Sequence, residues 1–499
     1  MSSLFDIKEN LKDWKVENFS AGDLYDDSER KYLEDKYIKL TTVSDVFDRQ
    51  TVSFQLSKGD CIHRWMKYKE GFSADLVNKL LDEMDVPVSG TVLDPFMGSG
   101  TTALVCKMRN INSIGFDILP MANIAIKAKS AVMTYDINEL KRIYQDFSSL
   151  EIPSSYNKKF NYIPITDGAF PEESERQLMY YTNWINKSNY SEVAKNLIVL
   201  CILNSLEVSS YTRKDGQYLA WDFRSKKIIN ANIRRAVNGQ KLINRLNKGI
   251  IPSLRASVQC ELQHVIEDII LIQNEKIFSN ASISFKEGSS LTELPTLPSN
   301  ILDGVITSPP YCNRYDYTRT YALEMNYLGL SSSEISKLRQ ELISCTVENK
   351  SKMDFLRDYY ASIGKIDDYN RIIGLIHGNK ALSEVKYALE KRNENGEINN
   401  KGVLRMVEGY FADLTFLYAE VFRLMKPGSL IAVVNDNVRY AGEVIPVDFM
   451  SSEIAESIGY EIVKIYTLRQ LKGNSSQQMK KYGRVALRKS ITIWRKPVH

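Results

Sequence analysis

Residues 91–104 read TVLDPFMGSGTTAL, an apolar stretch that enters a glycine loop and continues into helix-forming residues. The stretch 91–93 has the pattern of a short buried strand. Gly98 and Gly100 lack side chains, so the backbone between strand and helix can approach a ligand closely. This order of strand, loop and helix predicts a ligand-binding unit of an α/β fold.

A second short strand is predicted close behind the first. Residues 113–118 read SIGFDI, and this strand ends in Asp117, which lies 23 residues after Asp94. An acidic residue at the end of the second strand typically accepts hydrogen bonds from the hydroxyls of a ribose. The two strands and the loop between them therefore predict a nucleoside-binding half of an α/β domain.

Residues 307–311 read TSPPY and follow the largely apolar run 301–306. Proline fixes its own φ, lacks an N–H group and restricts the preceding residue, so a strand that ends here leaves a rigid, carbonyl-rich corner. Ser308 and the carbonyl of Pro309 can be held there as acceptors, with the flat ring of Tyr311 beside them. A planar base that carries an exocyclic amine fits this corner.

The glycine loop lacks the features of a phosphate cradle. No lysine follows Gly100, as a P-loop requires, and the two glycines do not complete a GxGxxG pattern. Asp94 would repel a pyrophosphate but can accept from an ammonium group, and S-adenosylmethionine carries an ammonium, a sulfonium and a ribose but no phosphate. The competing interpretation is a tight turn that serves packing only. Asp117 and the TSPPY stretch favour the cofactor.

At these motifs the chain resembles the bacterial S-adenosylmethionine-dependent DNA methyltransferases that methylate exocyclic amines. DPFMGSGT at 94–101 looks like their cofactor loop, GFDI at 115–118 like their next strand, and TSPPY like their catalytic motif. The resemblance implies an α/β fold with a Rossmann-like seven-stranded methyltransferase sheet and large, mostly helical inserts. The catalytic residues that it implies are Ser308, Pro309, Pro310 and Tyr311.

Further pieces are similar to the same family. Residues 63–77 resemble the segment that closes over the methionine end of the cofactor, residues 429–440 resemble the fifth strand, and residues 469–484 resemble a loop that often reaches DNA. The implied cofactor is S-adenosylmethionine. The residues implied to bind it are Phe72, Asp94, Pro95, Phe96, Gly98, Gly100, Thr101 and Asp117.

Two departures from the family pattern concern the motif order and the third strand. Many cytosine-N4 enzymes have the catalytic motif before the cofactor loop, whereas here the loop comes first, which leaves the position of target recognition open. The third-strand motif usually ends in Gly-Asp, but residues 285–290 read FKEGSS. Ser289 stands where a carboxylate is expected near the adenine, and Glu287 is the nearby acid that could replace it.

The resemblance also bears on the acceptor. A base inside a duplex is out of reach, so the target nucleotide must be flipped into the pocket. SPPY is commoner in family members that methylate the N4 amine of cytosine, and DPPY or NPPY in those that methylate the N6 amine of adenine. None of the prolines precedes a cysteine, which argues against the carbon-5 methylases and their Pro-Cys nucleophile. Ser308 thus favours cytosine N4, with adenine N6 as the alternative.

Basic residues are concentrated in two segments. The net charge of +4 is small, but residues 462–499 carry ten Lys or Arg and no acid, and residues 211–250 carry ten against two Asp. Such clusters suit phosphate contacts, although a solvated basic face would have the same composition. The residues predicted to contact DNA are Arg213, Lys214, Arg314, Arg469, Lys472, Gln477, Gln478, Lys480 and Arg484.

The motif order predicts six segments. They are an N-terminal arm or cap (1–60), a cofactor half of the core (61–130), a helical insert and candidate target-recognition region (131–280), core strands with TSPPY (281–311), a second insert (312–411), and a core completion with a basic hairpin loop (412–499). Within the first insert, residues 209–227 mix aromatic and basic residues around an Asp-Gly turn and predict a hairpin or loop that faces DNA.

The amino-acid composition limits which cellular compartment and which partners we expect. Six cysteines lack CxxC spacing, the four histidines are far apart, and no signal or membrane-spanning pattern is present. We therefore expect a cytoplasmic protein with no metal site, no disulfide framework and no membrane partner. The expected partners are double-stranded DNA and, within a restriction-modification system, a cognate restriction endonuclease. The competing functions are an RNA guanine-N2 methyltransferase and a binding subunit that keeps the fold without catalysis.

Overall fold

The computed structural model of the chain describes residues 15–69, 71–215, 218–243, 246–468, 479–483 and 485–498. Its strands, β1 to β12 in chain order, are Thr41–Val43, Thr91–Asp94, Asn112–Asp117, Thr212–Asp215, Tyr218–Trp221, Ile283–Glu287, Leu302–Thr307, Met425–Asp436, Val438–Tyr440, Glu443–Ile445, Glu461–Leu468 and Lys489–Arg495. Its α-helices, α1 to α19, are Ser28–Tyr37, Ala74–Glu83, Thr101–Met108, Pro120–Ser130, Ile137–Ser149, Glu172–Lys187, Glu192–Val208, Lys226–Val237, Leu254–Glu275, Ser290–Glu293, Tyr317–Thr320, Ala322–Tyr327, Ser332–Glu341, Met353–Ser362, Ile366–Gly378, Lys380–Glu394, Gly402–Leu424, Val447–Ile458 and Met479–Tyr482.

One mixed sheet of eight strands forms the centre of the molecule. Its order is β1, β11, β12, β8, β7, β2, β3, β6, and two short pairs, β4 with β5 and β9 with β10, lie outside it. Strand β12 runs antiparallel to β11 and β8, whereas the other neighbouring pairs of this sheet are parallel. The predicted Rossmann-like α/β sheet is confirmed, with one strand more than the seven expected.

The additional strand comes from the N-terminal segment. Strand β1 pairs in parallel with β11 and forms one edge of the sheet. Arg30 of the preceding helix α1 is completely buried, where it forms ion pairs with Glu384 and Glu443. Residues 15–60, expected to form an arm or cap, therefore contribute an edge strand and are tied to the rest of the chain by buried charges.

Helices cover both faces of the sheet because successive strand residues point to opposite sides. In β7, Val305 packs into the hydrophobic cluster under α17, whereas Ile306 packs into the cluster under α2. Strands that are buried on both faces must be apolar nearly throughout, which is why the run 301–306 shows no alternation. The carboxyl ends of the parallel strands are left as the edge at which loops can form a site.

The first insert is mostly helical, as predicted. Helices α5, α6, α7 and α9 pack with α4 around a hydrophobic core of their own. Helices α6 and α7 are the two longest elements between residues 172 and 208 of this insert, and residues 209–227 contain the predicted hairpin, formed by β4 and β5. Helices α11 to α16 belong to the second insert, and α17 returns the chain to β8. Within the described ranges, no helix has the length and apolar composition needed to cross a membrane.

Candidate active site

Four adjacent strands end side by side at one cavity. The loops that follow β2, β3, β6 and β7 line it, and its empty volume is about 770 Å³, including the open space at its entrance. Ligands of open α/β sheets bind at the carboxyl ends of the strands, so this cavity is the candidate active site.

Most residues predicted to form the site line this cavity. They are Phe72, Asp94, Pro95, Phe96, Gly98, Thr101, Asp117, Ser308 and Pro310. Gly100, Pro309 and Tyr311 are not among the lining residues. The fold thus brings the glycine loop and the TSPPY stretch, which are far apart in the sequence, into one cavity.

The backbone conformation of the loop explains why positions 98 and 100 are glycine. Gly98 has a φ of 54° and Gly100 a φ of 87°, in the left-handed region that side chains disfavour. A Cβ at Gly100 would also overlap the side chain of Ile126 in α4. Gly100 therefore permits close packing of the loop against this helix, whereas Gly98 lines the cavity.

Asp117 joins the second strand of this unit to the glycine loop. Its Oδ2 accepts from the N–H of Gly98 at 2.9 Å and from the hydroxyl of Tyr68 at 3.5 Å, and its Oδ1 accepts from the N–H of Leu119 at 2.8 Å. Burial raises the pKa of Asp117 to about 6, because the backbone donors offset the desolvation only in part. A carboxylate has about four lone-pair sites, so an acceptor position remains for a ligand.

Asp94 closes the loop onto the start of α3. Its Oδ2 accepts from the hydroxyl of Thr102 at 2.6 Å and its Oδ1 accepts from the N–H of Phe96 at 3.1 Å. The side chain is almost fully buried, and this burial raises the pKa of Asp94 to about 6. Asp94 thus shapes the loop and also places a carboxyl group in the cavity wall.

A buried lysine that the sequence analysis missed supports the loop. Lys129 of α4 is fully buried, and its Nζ donates to the carbonyl of Ser99 at 3.0 Å and to that of His63 at 3.5 Å. Burial lowers the pKa of Lys129 to about 7. The sequence contains no signal for this role, because a lysine in an amphipathic helix normally lies on the solvated face.

The Ser-Pro-Pro-Tyr corner contains an internal hydrogen bond. The Oγ of Ser308 donates to the hydroxyl of Tyr311 at 3.0 Å. A serine hydroxyl has one donor and two acceptor sites, so Ser308 keeps acceptor capacity toward the cavity that it lines. The ring of Tyr311 is buried, with the Nζ of Lys489 4.9 Å from its centre. Stacking of Tyr311 on a base stays a prediction.

The wall beyond the third parallel strand combines β6 with the second insert. Ser289 lines the cavity and donates its hydroxyl to the carbonyl of Glu341 at 3.0 Å. Glu287 is exposed, accepts from Asn123 and does not line the cavity. Glu341, at the end of α13, does line it. The second insert therefore brings an acidic residue to the wall where the third-strand motif has none.

The segment 63–77 covers one side of the cavity. Tyr68 and Phe72 line it, and Tyr68 stacks on Tyr321 with ring centroids 5.4 Å apart. The hydroxyl of Tyr321 also accepts from the N–H of Lys69 at 2.7 Å. Sequence reasoning found this segment through Phe72 but missed Tyr68, because its partner Tyr321 lies in another part of the chain.

Two of the predicted DNA contacts in the first insert differ in exposure. Arg213 of β4 is exposed. Lys214 is 9% exposed, forms an ion pair with Glu324, and lies with its Nζ 4.5 Å from the ring centre of Tyr321. The charge of Lys214 is therefore used inside the protein, and this geometry argues against a phosphate contact.

The other predicted DNA contacts lie near the TSPPY corner and in the basic loop. Arg314 has a φ of 64°, and its guanidinium lies 5.9 Å from the ring centre of Tyr440. Lys480 lies in α19, but its side chain is outside the described part of the structure. Also outside the described residues are Arg469, Lys472, Gln477, Gln478 and Arg484. Among the described residues, no three His, Cys, Asp or Glu side chains gather as metal ligands would.

Comparison with known proteins shows similarity to DNA methyltransferases. A DNA methylase family model for N6- and N4-type enzymes matches residues 9–127, which contain the glycine loop. The chain is 51% identical over 498 residues to the type II methyltransferase M.BsoBI of Geobacillus stearothermophilus, covering 99% of this chain and 97% of that protein. It is 36% identical over 473 residues to the type II methyltransferase M.AvaI of Nostoc sp., covering 94% and 93%.

The sheet order and the position of the cavity are those of a methyltransferase. The alignments with the two relatives extend over more than nine-tenths of each sequence. The chain belongs to the type II DNA methyltransferases of the N6/N4 family.

Proposed function

We propose that the chain transfers a methyl group from S-adenosylmethionine to the exocyclic N4 amine of cytosine in double-stranded DNA, after flipping the base out of the duplex. The observation that carries this proposal is one cavity lined by the glycine loop and Asp117 and also by Ser308 and Pro310. Adenine N6 is the alternative acceptor, because the corner suits any planar amine. The serine of the SPPY motif favours cytosine by resemblance.

The lining residues fit the proposed cofactor. Asp117 offers an acceptor for ribose hydroxyls, and the carboxyl groups of Asp94 and Asp117 would give the cavity a negative charge that suits a ligand with an ammonium and a sulfonium. Phe72 and Phe96 provide apolar wall and limit the access of water. The cofactor, when bound, supplies an electrophilic methyl group on sulfur.

Ser308, which lines the cavity, would activate the amine by accepting one of its hydrogen bonds. The resemblance assigns the second acceptor to the carbonyl of Pro309, which does not line the cavity. The nitrogen lone pair is delocalised into the base, and acceptors placed off the ring plane favour a more tetrahedral, nucleophilic nitrogen. Ser308 is prepared for this role because its own proton is donated to Tyr311. The nitrogen lone pair would form the bond to the methyl carbon while the carbon–sulfur bond breaks and leaves a neutral thioether, and the amine would release one proton to water. Most of the remaining rate enhancement would come from alignment of the amine nitrogen, the methyl carbon and the sulfur.

The acceptor is tested with purified protein, isotope-labelled cofactor and unmethylated genomic DNA. We expect enzymatic digestion and mass spectrometry to find N4-methylcytosine. Finding N6-methyladenine alone would transfer the assignment to adenine. Methyl transfer to tRNA but not to DNA would replace the DNA substrate by RNA. Cofactor binding without transfer to either would leave the chain as a binding subunit.

We also propose that Glu341 accepts a hydrogen bond from the adenine amine of the cofactor. Glu341 lines the cavity, and its backbone carbonyl accepts from Ser289, which occupies the place of the usual third-strand carboxylate. The Glu341 carboxylate is 42% exposed and lies 3.9 Å from the Nζ of Lys337. Hydrogen bonds to charged groups contribute about 1.5–3 kcal/mol, so Glu341→Gln should weaken cofactor binding by roughly tenfold. The matched control is Glu287→Gln, which should bind normally by calorimetry. The reverse result would assign the role to Glu287.

A cognate restriction endonuclease is proposed from the similarity to type II methyltransferases. We expect genomic DNA methylated by the purified protein to resist cleavage in an extract of the cells from which the gene comes, and unmethylated DNA to be cut at defined positions. Equal cleavage of both samples would remove this partner from the proposal.

A further inference from the structure

Helix α8 does not pack as helices of globular proteins normally do. None of its twelve residues is buried. Amphipathic helices bury an apolar stripe against a core. In α8 the residues Ile229, Ile233 and Val237 follow each other at intervals of four and are 45%, 58% and 83% exposed. This face of the helix is therefore available to a molecule outside the chain.

The charge around α8 identifies the kind of molecule. Residues 223–260 contain nine Lys or Arg and no Asp or Glu. In the described part of this segment, Arg234 and Arg235 donate from Nε to the carbonyls of Asn230 and Lys241, and no carboxylate pairs with either arginine. Arg224, before α8, is paired with Asp222, so the positive charge that no described carboxylate pairs with lies on α8 itself, at Arg234 and Arg235. Such charge attracts a polyanion.

Helix α8 is held in place although it is exposed. Ser225 caps its first turn by accepting from the N–H of Ile228 at 3.3 Å. Asn232 bonds both ways with the returning chain, since its Nδ2 donates to the carbonyl of Ile243 at 2.9 Å and its Oδ1 accepts from the N–H of Ile243 at 2.7 Å. The helix is thus an ordered projection, which reduces the entropy lost when it binds.

The hairpin that precedes α8 is connected to the active-site cavity. Strand β5 of the hairpin contacts α11, whose Tyr317 lines the cavity. Lys214 of β4 lies against Tyr321, which stacks on the lining residue Tyr68. A molecule that binds α8 is therefore held next to the β4–β5 hairpin, which packs against residues around the cavity.

We infer that α8 enters the major groove of duplex DNA, with Arg234 and Arg235 on phosphates and Asn230 beside the base edges. This inference rests on the proposed function. A helix about 10–12 Å across fits a major groove about 12 Å wide. Asparagine can pair with adenine, and apolar side chains such as Ile229 and Ile233 can contact thymine methyl groups. A second copy of the chain is a poor occupant, because it would place two acid-free basic segments against each other.

The test compares two double variants that remove equal charge. Arg234→Ala with Arg235→Ala alters α8, and Arg357→Ala with Arg371→Ala removes two arginines of the second insert that pair with aspartates. A mixed-sequence duplex of about three helical turns is the binding probe. We expect the α8 variant to lose about 1.8 from the slope of log affinity against log salt concentration, since each phosphate contact contributes about 0.9. Its KM for unmethylated genomic DNA should rise by about tenfold or more, with unchanged cofactor affinity by calorimetry.

The outcomes separate this inference from the proposed function. If the wild-type protein methylates DNA but the α8 variant retains its KM and salt slope, the inference is overturned and the function stands. If no DNA is methylated while the α8 variant loses duplex affinity and the control variant does not, the function is overturned and the inference stands. A dimer in sedimentation that Ile233→Asp dissociates, with duplex binding unchanged, would make α8 a subunit contact and overturn the inference.

Discussion

One hydrogen bond determines what the Ser-Pro-Pro-Tyr corner can offer to an amine. Because Ser308 donates to the hydroxyl of Tyr311, the oxygen of Ser308 faces the cavity as an acceptor. Without that partner the serine proton is free to rotate toward the substrate, where it would compete with the amine for the same position. In the proposed mechanism Tyr311 therefore acts on the chemistry through Ser308, in addition to any stacking on the base.

The two roles of Tyr311 are separated by two substitutions. Tyr311→Phe keeps the ring but removes the acceptor for Ser308, so kcat should fall by about tenfold, the loss expected for one hydrogen bond. Tyr311→Ala also removes the ring, and kcat should fall by about a hundredfold or more. Methyl transfer to genomic DNA is the measurement, and unchanged cofactor affinity is the control. Full activity of Tyr311→Ala would refute both roles.

The raised pKa of Asp117 predicts how cofactor binding depends on pH. Its pKa is raised to about 6, so the carboxyl group becomes protonated as the pH falls through that value and loses an acceptor site and its charge. Cofactor affinity measured by calorimetry between about pH 5 and 8 should therefore decline at the acidic end. Asp117→Asn should bind roughly tenfold more weakly at neutral pH and show a shallower pH profile, with Asp94 responsible for the remainder. Identical profiles would exclude Asp117 as the titrating group.

At the scale of elements, the glycine loop depends on the helix beneath it. Gly100 brings the loop against Ile126 of α4, and Lys129 of the same helix donates to the carbonyl of Ser99. The ammonium group of Lys129 donates to two carbonyls, but its burial removes it from water, and this desolvation favours its neutral form. Helix α4 thus holds the loop conformation, and the free energy needed to bury Lys129 depends on pH.

Whether stability rises or falls with pH is determined by which state, folded or unfolded, binds the proton of Lys129. The pKa of Lys129 falls from 10.5 to about 7 in the folded chain, so the unfolded chain binds the additional proton between these values. The free energy of unfolding of the wild type, relative to that of Lys129→Met, should rise with pH across this range by up to about 1.4 kcal/mol per unit. Urea unfolding without cofactor measures it. The exposed neighbour is the control, since Lys127→Met should leave the wild-type pH dependence intact. Parallel curves for the wild type and Lys129→Met would refute the assignment.

The elements themselves were largely predictable. The strands around residues 91–94, 112–117 and 302–307 are bounded by glycines, prolines or acids, and such boundaries depend on local backbone chemistry. Strand β1 was not predicted, because three residues at a sheet edge produce no periodic pattern. Helix α8 was not anticipated as an exposed helix either, because its apolar spacing is the same as that of a buried one.

At the scale of the whole molecule, buried charges join segments that are distant in the sequence. Arg488, just before β12, is almost fully buried and pairs with Glu34 of α1 and Asp448 of α18. Its guanidinium also lies 4.1 Å from the ring centre of Phe449. One side chain therefore links the N-terminal segment, the last strand and a helix on the face of the sheet.

Removing one partner of this network should destabilise the whole chain. Glu34→Ala leaves Arg488 with less compensation in a buried site, which costs about 3–5 kcal/mol in comparable cases. The adjacent residue is a matched control, because Asp35 pairs with Lys15 at an exposed position and Asp35→Ala should change stability by less than about 0.5 kcal/mol. Chemical unfolding measures both. Equal stability of the two variants would show that the N-terminal segment is an independent arm.

The sequence by itself determined the class of the fold and the backbone geometry of its two main motifs. Glycines at left-handed positions, a Pro-Pro corner after a strand and an acid at the end of the next strand act through local backbone geometry, and this geometry can be read from neighbouring residues. Only the tertiary structure decided that Glu341 and Tyr68 line the cavity and that Lys129 supports the loop. It also decided that Lys214 is paired internally and that α8 is exposed. Burial and pairing depend on residues that the chain brings together from far apart, and no local pattern specifies them.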